Sequence, residues 1–253
     1  METFPLPQEI LDHVVDLLYD SPETLKQCCL VSKSWVPRTR KHIFAHVKFT
    51  SEESLQSWKK AFPDPTNSPS YHTRVLTVEC DPGDIENNNW VQGFSHVERL
   101  VVDDSHTTIP FSAFHQLAPS LKSLLVVSLS LPQPQTFALI RSLPFLEDLG
   151  LIGDSDAIEI GEPDDPLVLA TTSPTLTGTL DIFLSEGIAG ILRGLLGLPG
   201  GLRFRRVELA WCSELDLPQV VELVTTCSGT LEYFDLACGI DGKYDPIPSR
   251  TIH

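Results

Sequence analysis

Seven copies of one short unit constrain this chain more than any other feature. Each has the form φ-x-x-φ-x-φ, where φ is an apolar position. The copies run Thr73–Val78, Val97–Val102, Leu121–Val126, Leu146–Leu151, Thr177–Ile182, Phe204–Leu209 and Leu231–Leu236, with starts 24, 24, 25, 31, 27 and 27 residues apart. Threonine stands at the first position twice. The last two φ positions never fail: Leu76/Val78, Leu100/Val102, Leu124/Val126, Leu149/Leu151, Leu180/Ile182, Val207/Leu209 and Phe234/Leu236 are apolar in a chain that is 42% apolar. Alternation with a period of two is strand-like and buries one face. Helix-capable stretches with turn punctuation lie between the units, at 110–117, 135–143, 187–198 and 218–226. Strand, loop and helix recurring at this period predict an α/β solenoid, with parallel strands on one side and helices on the other.

These units resemble leucine-rich repeats, irregularly spaced. In that family an Asn/Cys ladder position follows each start by eight residues; here it holds Asp81, Ser105, Leu129, Asp154, Ser185, Cys212 and Gly239. Leu129 and Gly239 cannot hydrogen-bond a loop from their side chains. The resemblance implies a curved parallel sheet of about seven repeats over residues 73–253, its curvature uneven. The 31-residue step marks an inserted loop, Asp154–Ser173, carrying Asp154, Asp156, Glu159, Glu162, Asp164 and Asp165. It reads as a solvated loop or as a partner-binding one. Pro246 and Pro248 oppose a closing helix, so the last repeat is expected to lack a cap.

The first 49 residues have a different period. Ile10, Leu11, Val14, Val15 and Leu18 define an apolar helix face, with Pro7 suited to its first turn. Ser21-Pro22-Glu23 is a second helix start, followed by Leu25, Cys28, Cys29 and Val31. Ser34 is expected to cap a third helix holding Trp35, Arg38, Arg40 and Lys41, with Pro37 in its first turn. Three short helices bury little on their own, so an apolar surface left on them is a binding face.

Leu6-Pro7-Gln8-Glu9-Ile10-Leu11, then Val14, Leu17-Leu18 and Leu25, then Leu30-Val31-Ser32 and Trp35, resemble an F-box in order and spacing. The resemblance implies docking onto the Skp-type adaptor of a cullin–RING ubiquitin ligase, and through it onto cullin. Carried over by position, Leu6, Pro7, Ile10, Leu11, Leu18, Leu25, Leu30, Val31 and Trp35 form or support that face. Filling a small helical core is the other role open to them. Residues 50–72 read as a linker with a short helix around Trp58, Ala61 and Phe62, then the turn-rich run 63–69.

Charge divides the chain the same way. Residues 1–50 hold six acids and six bases; the remaining 28 acids and 12 bases carry the whole net charge of −16. That is the wrong field for nucleic acid. The most apolar stretch, 187–198, is too short to span a bilayer and contains Arg193. Six cysteines without metal-ligand spacing read as free thiols of a reducing compartment, cytoplasm or nucleus. No secretory signal is legible at the start.

Catalytic motifs are scarce in the sequence. Asp103-Asp104-Ser105-His106 lacks the elbow that a serine nucleophile needs, and the histidines show no metal-ligand spacing. No phosphate-binding glycine motif is present. Arg203, Arg205 and Arg206 read as an anion site or a solvated strand edge. The expectation is a protein that is not an enzyme and needs no cofactor. It would bind the adaptor by its helices and a protein substrate by its repeats; the rival is an adaptor-binding scaffold that delivers nothing for degradation. Side chains pointing out of the strands name the substrate face: Asp103, Asp148, Asp181, Phe183, Glu208, Trp211, Tyr233 and Asp235, acidic enough to favour a basic partner.

Overall fold

The computed structural model describes residues 7–80, 90–103, 111–127, 133–153, 174–184 and 188–238. Among them the chain forms seven α-helices and one eight-stranded sheet. The strands are β1 (His46–Phe49), β2 (Val75–Val78), β3 (Arg99–Asp103), β4 (Ser123–Val127), β5 (Asp148–Gly153), β6 (Thr179–Leu184), β7 (Arg206–Cys212) and β8 (Tyr233–Cys238). Each pairs in parallel with the next in sequence. The architecture is α/β, an open all-parallel sheet in strict chain order, which is solenoid-like.

The apolar pattern sets the register. Leu76, Leu100, Leu124, Leu149, Leu180, Val207 and Phe234 stand in one row across the sheet, and Val78, Val102, Val126, Leu151, Ile182, Leu209 and Leu236 in another. Apart from Phe234 and Leu236 on the last strand, all of them are buried. A slip of one residue anywhere would send that strand's whole apolar set to the opposite face, so the register is strongly specified.

Over those rows lie the connecting segments. Helix α4 (Glu52–Ala61) contributes Leu55, α5 (Gln133–Ser142) contributes Phe137, Leu139 and Ile140, and α6 (Ile188–Leu196) contributes Ile188, Ile191, Leu192 and Leu195. Val220, Leu223 and Cys227 come from α7 (Leu217–Cys227). With Phe94 and Phe114 from shorter segments they form one continuous core from Val47 to Cys227. Gly194 lets α6 approach α5 closely, because a Cβ there would fall 2.1 Å from Cζ of Phe137.

Three details depart from the sequence expectation. The sheet begins one strand early. Phe44-Ala45-His46-Val47-Lys48-Phe49 is itself a φ-x-x-φ-x-φ unit, and Val47 and Phe49 pair with Leu76 and Val78. In the fifth unit the buried anchor is Leu176 rather than Thr177, and it bridges to Leu202. Only Cys212 of the ladder positions lies among the described residues. It is buried at a bulge where β7 meets β8, next to Trp211 with its positive φ of 65°.

The amino-terminal helices are α1 (Gln8–Asp16), α2 (Pro22–Val31) and α3 (Val36–Ile43). Pro22 starts α2 as its first residue, but the Ser21 hydroxyl meets Thr24 Oγ1 at 2.8 Å instead of capping the backbone. Trp35, not Ser34, flanks α3, since the Ser34 hydroxyl is taken by Ser32 at 2.9 Å. Pro37 sits in the first turn, where it removes no helical hydrogen bond. Asp16 ties α1 to α3: its carboxylate accepts from Arg38 Nε at 2.5 Å and faces His42 Nε2 at 2.7 Å. Those two partners hold the Asp16 carboxyl well below the usual carboxylate range.

Candidate functional site

Helix α1 and the turn that follows it carry two apolar stripes, and only one of them is used internally. Leu11, Val15 and Leu18 follow the spacing 4 and 3; Val15 is buried and the other two half-buried. Ile10, Val14 and Leu17 repeat the spacing one residue earlier and are exposed, Ile10 to 51%. Residues at i, i+4 and i+7 share a helix face, so this is a continuous outward stripe. At the end of α2, Leu30 is 80% and Val31 70% exposed. Tyr19 is exposed as well.

The nine candidate adaptor residues therefore separate into roles. Leu6 lies outside the described residues. Pro7 is exposed at the cap of α1. Ile10, Leu30 and Val31 are open to solvent; Leu11, Leu18 and Trp35 are half-buried; Leu25 is fully buried and can only support the face from behind. Val14 and Leu17 belong with the open set, and the shared spacing with Ile10 was the signal that identifies them.

Across the sheet, the outward face is divided by charge. Asp181, Glu208 and Asp235 stand side by side on β6, β7 and β8. Adjacent strands lie about 4.8 Å apart, so three like charges in a row raise one another's energy unless countered. Arg206 supplies part of the counter-charge. It is ion-paired with Glu208, donating from Nε at 2.9 Å, and its guanidinium lies 4.2 Å from the centroid of the Tyr233 ring. Glu208 is buried under that arrangement, whereas Asp235 and Tyr233 are exposed. Phe183 on β6 and Trp211 on β7 are half-buried.

Two other candidates have different surroundings. Asp148 Oδ1 accepts a hydrogen bond from the Thr179 backbone N–H at 2.7 Å, which fastens β5 to β6. Asp103 lies half-buried at the end of β3, far along the sheet from the acidic row. The first strands mix both signs: Lys48 on β1 pairs with Glu79 at 2.7 Å, and β3 carries Arg99 as well as Asp103. Burial, then the charges of Lys48 and Arg99, pushes the His46 imidazole below its ordinary value. Of the arginine cluster, Arg203 and Arg205 are exposed and Arg206 is committed to Glu208.

Residues 104–106, which include Ser105 and His106, and the acidic loop Asp154–Ser173 lie outside the described residues. Among the described residues, no three His, Cys, Asp or Glu side chains are placed to hold a metal ion, and no helix is long and apolar enough to cross a membrane. No protein-family model matches this chain, and a search of curated proteins returns no significant match.

Proposed function

We propose that this chain is a non-catalytic substrate-recognition subunit of a Skp–cullin–F-box type ubiquitin ligase. The amino-terminal helices act as an F-box that binds the Skp adaptor. The parallel sheet with its covering segments acts as an irregular leucine-rich-repeat array that captures a protein substrate. The array's contribution is effective concentration: holding a substrate beside the transfer machinery replaces a bimolecular encounter, with no bond made or broken here. Cytoplasm or nucleus is the compartment in which such a subunit works.

One observation carries this reading. The stripe Ile10, Val14 and Leu17, with Leu30 and Val31, is exposed on a helical module too small to have any internal use for it. The motif-like order of the same residues gives the stripe an occupant. For the substrate, support comes from Asp181 and Asp235 on either side of the Arg206-paired Glu208, beside Tyr233 and Phe183, which favours a basic segment with an aromatic or aliphatic anchor.

Reconstitution with adaptor, cullin and ubiquitin-loading enzymes tests the proposal, using proteins retained by the sheet face as substrates. Ubiquitin transfer that requires this chain is the expected result. Retention without transfer would favour an adaptor-bound scaffold instead.

A further inference from the structure

A cavity of about 230 Å³ opens at the amino ends of the first three strands, beside the last turn of α3. Lys41, His42, Tyr71, His72, Arg74 and His96 line it, and none of its lining residues is acidic. Composition does not predict this, because residues 51–253 hold 28 acids against 12 bases. The existing partners of these cations leave capacity for a ligand. Arg74 faces Glu98 at 3.3 Å and donates to the His96 carbonyl at 3.2 Å, both through Nη1, which leaves further guanidinium donors. His42 is engaged by Asp16 at 2.7 Å. Lys41 is exposed, and no ion pair is found for it among the described residues.

Glu98 on Arg74 and Asp16 on His42 offset part of this positive charge, and His72 sits among what is left. Burial, then Lys41, Arg40 and Arg74, pushes its imidazole below the ordinary value. A bound anion would offset the charges of Lys41 and Arg74, which line the cavity with His72. The end of α3 works against an anion, since a helix carboxyl terminus is partly negative. Two of its last carbonyls are already satisfied, Arg40 by the Phe44 N–H at 3.0 Å and His42 by the Ala45 N–H at 3.2 Å. The full charges of Lys41 and Arg74, which both line the cavity, are the stronger influence.

We propose that this cavity is a binding site for a phosphate-monoester dianion, held by Lys41 and Arg74 with His72 and His96 as neighbouring donors. Guanidinium and ammonium together suit a tetrahedral dianion better than a single carboxylate. The ring of Tyr71, 3.8 Å from that of His72 and half open to solvent, walls one side. The site is independent of the adaptor stripe and of the acidic row. Its phosphate can belong to a small free ester or to a phosphorylated side chain.

Calorimetry on the full chain tests it with two probes, inorganic phosphate and a short phosphoserine peptide, each against chloride of equal ionic strength. Saturable binding of phosphate is expected, weakened at least about tenfold by Lys41→Gln and by Arg74→Gln, since each removes a charge-assisted contact. Arg203→Gln with Arg205→Gln, exposed cations elsewhere, should change nothing. A peptide bound much more tightly than inorganic phosphate marks a phosphoprotein as the source; equal binding marks a small ester. Circular dichroism confirms that each variant is folded, and Lys41, being exposed, gives a variant that does not disturb packing. No saturable binding, or binding lowered equally by the Arg203 and Arg205 changes, overturns the proposal.

Discussion

Asp16 shows how much one carboxylate does in a module with so little core. It meets Arg38 and His42 on α3, and its carboxyl titrates below the ordinary value of about 4 because those partners favour the charged form. A carboxylate with a depressed folded pKa contributes stability that is complete above the unfolded value and is lost as pH falls below it. Asp16→Asn should therefore be less stable than the parent at neutral pH, and the gap should close as pH drops below about 4. Chemical denaturation at several pH values, followed by helical signal, measures the gap. Trp211 makes a second prediction at this scale. Its φ of 65° is a region that costs a side-chain-bearing residue about 1–2 kcal/mol. Trp211→Gly should then be about 1 kcal/mol more stable than Trp211→Ala, because both lose the indole but only alanine keeps the strained Cβ. Equal stabilities would show that the bulge is relaxed.

At the scale of the element, the strands were legible and their surroundings less so. A period of two at fourteen apolar positions places β2 to β8 because burial on one face leaves no other register. Strand β1 is harder to read although Val47 and Phe49 fit the same unit, because its four residues closely follow a helical module of different period. The substrate face was legible only as a set of outward positions. That Asp148 would fasten Thr179, or that Arg206 would cover Glu208, depends on neighbouring strands and is invisible along the chain. Asp148→Lys is thus not a silent change, as its position on the strand alone would have it. The buried row can be tested with Leu149→Asp, which places an uncompensated charge in the core and should cost several kcal/mol. Glu147→Gln, exposed two residues away, should shift the thermal midpoint by almost nothing. Gly194→Val should also destabilise, since a side chain there collides with Phe137.

The whole molecule has two ends of opposite character. Its amino-terminal helices are neutral and show apolar side chains to solvent, while the far strands carry the acidic row. Phe234, on β8, breaks the otherwise buried row at 39% exposure. Capture of a basic partner by that end should weaken as salt rises and should fall with Asp235→Lys, an exposed change that leaves the Arg206–Glu208 pair in place. The central claim concerns the other end. Titration calorimetry of the full chain against a purified Skp-type adaptor measures it directly, comparing the parent with Ile10→Glu combined with Leu30→Glu. Both side chains are exposed, so the double variant should unfold at the same temperature as the parent. The account predicts a saturable complex with the parent and at least a hundredfold loss in the variant, as burying two charges in an apolar interface requires. No complex with the parent, or equal affinity for both, would contradict it.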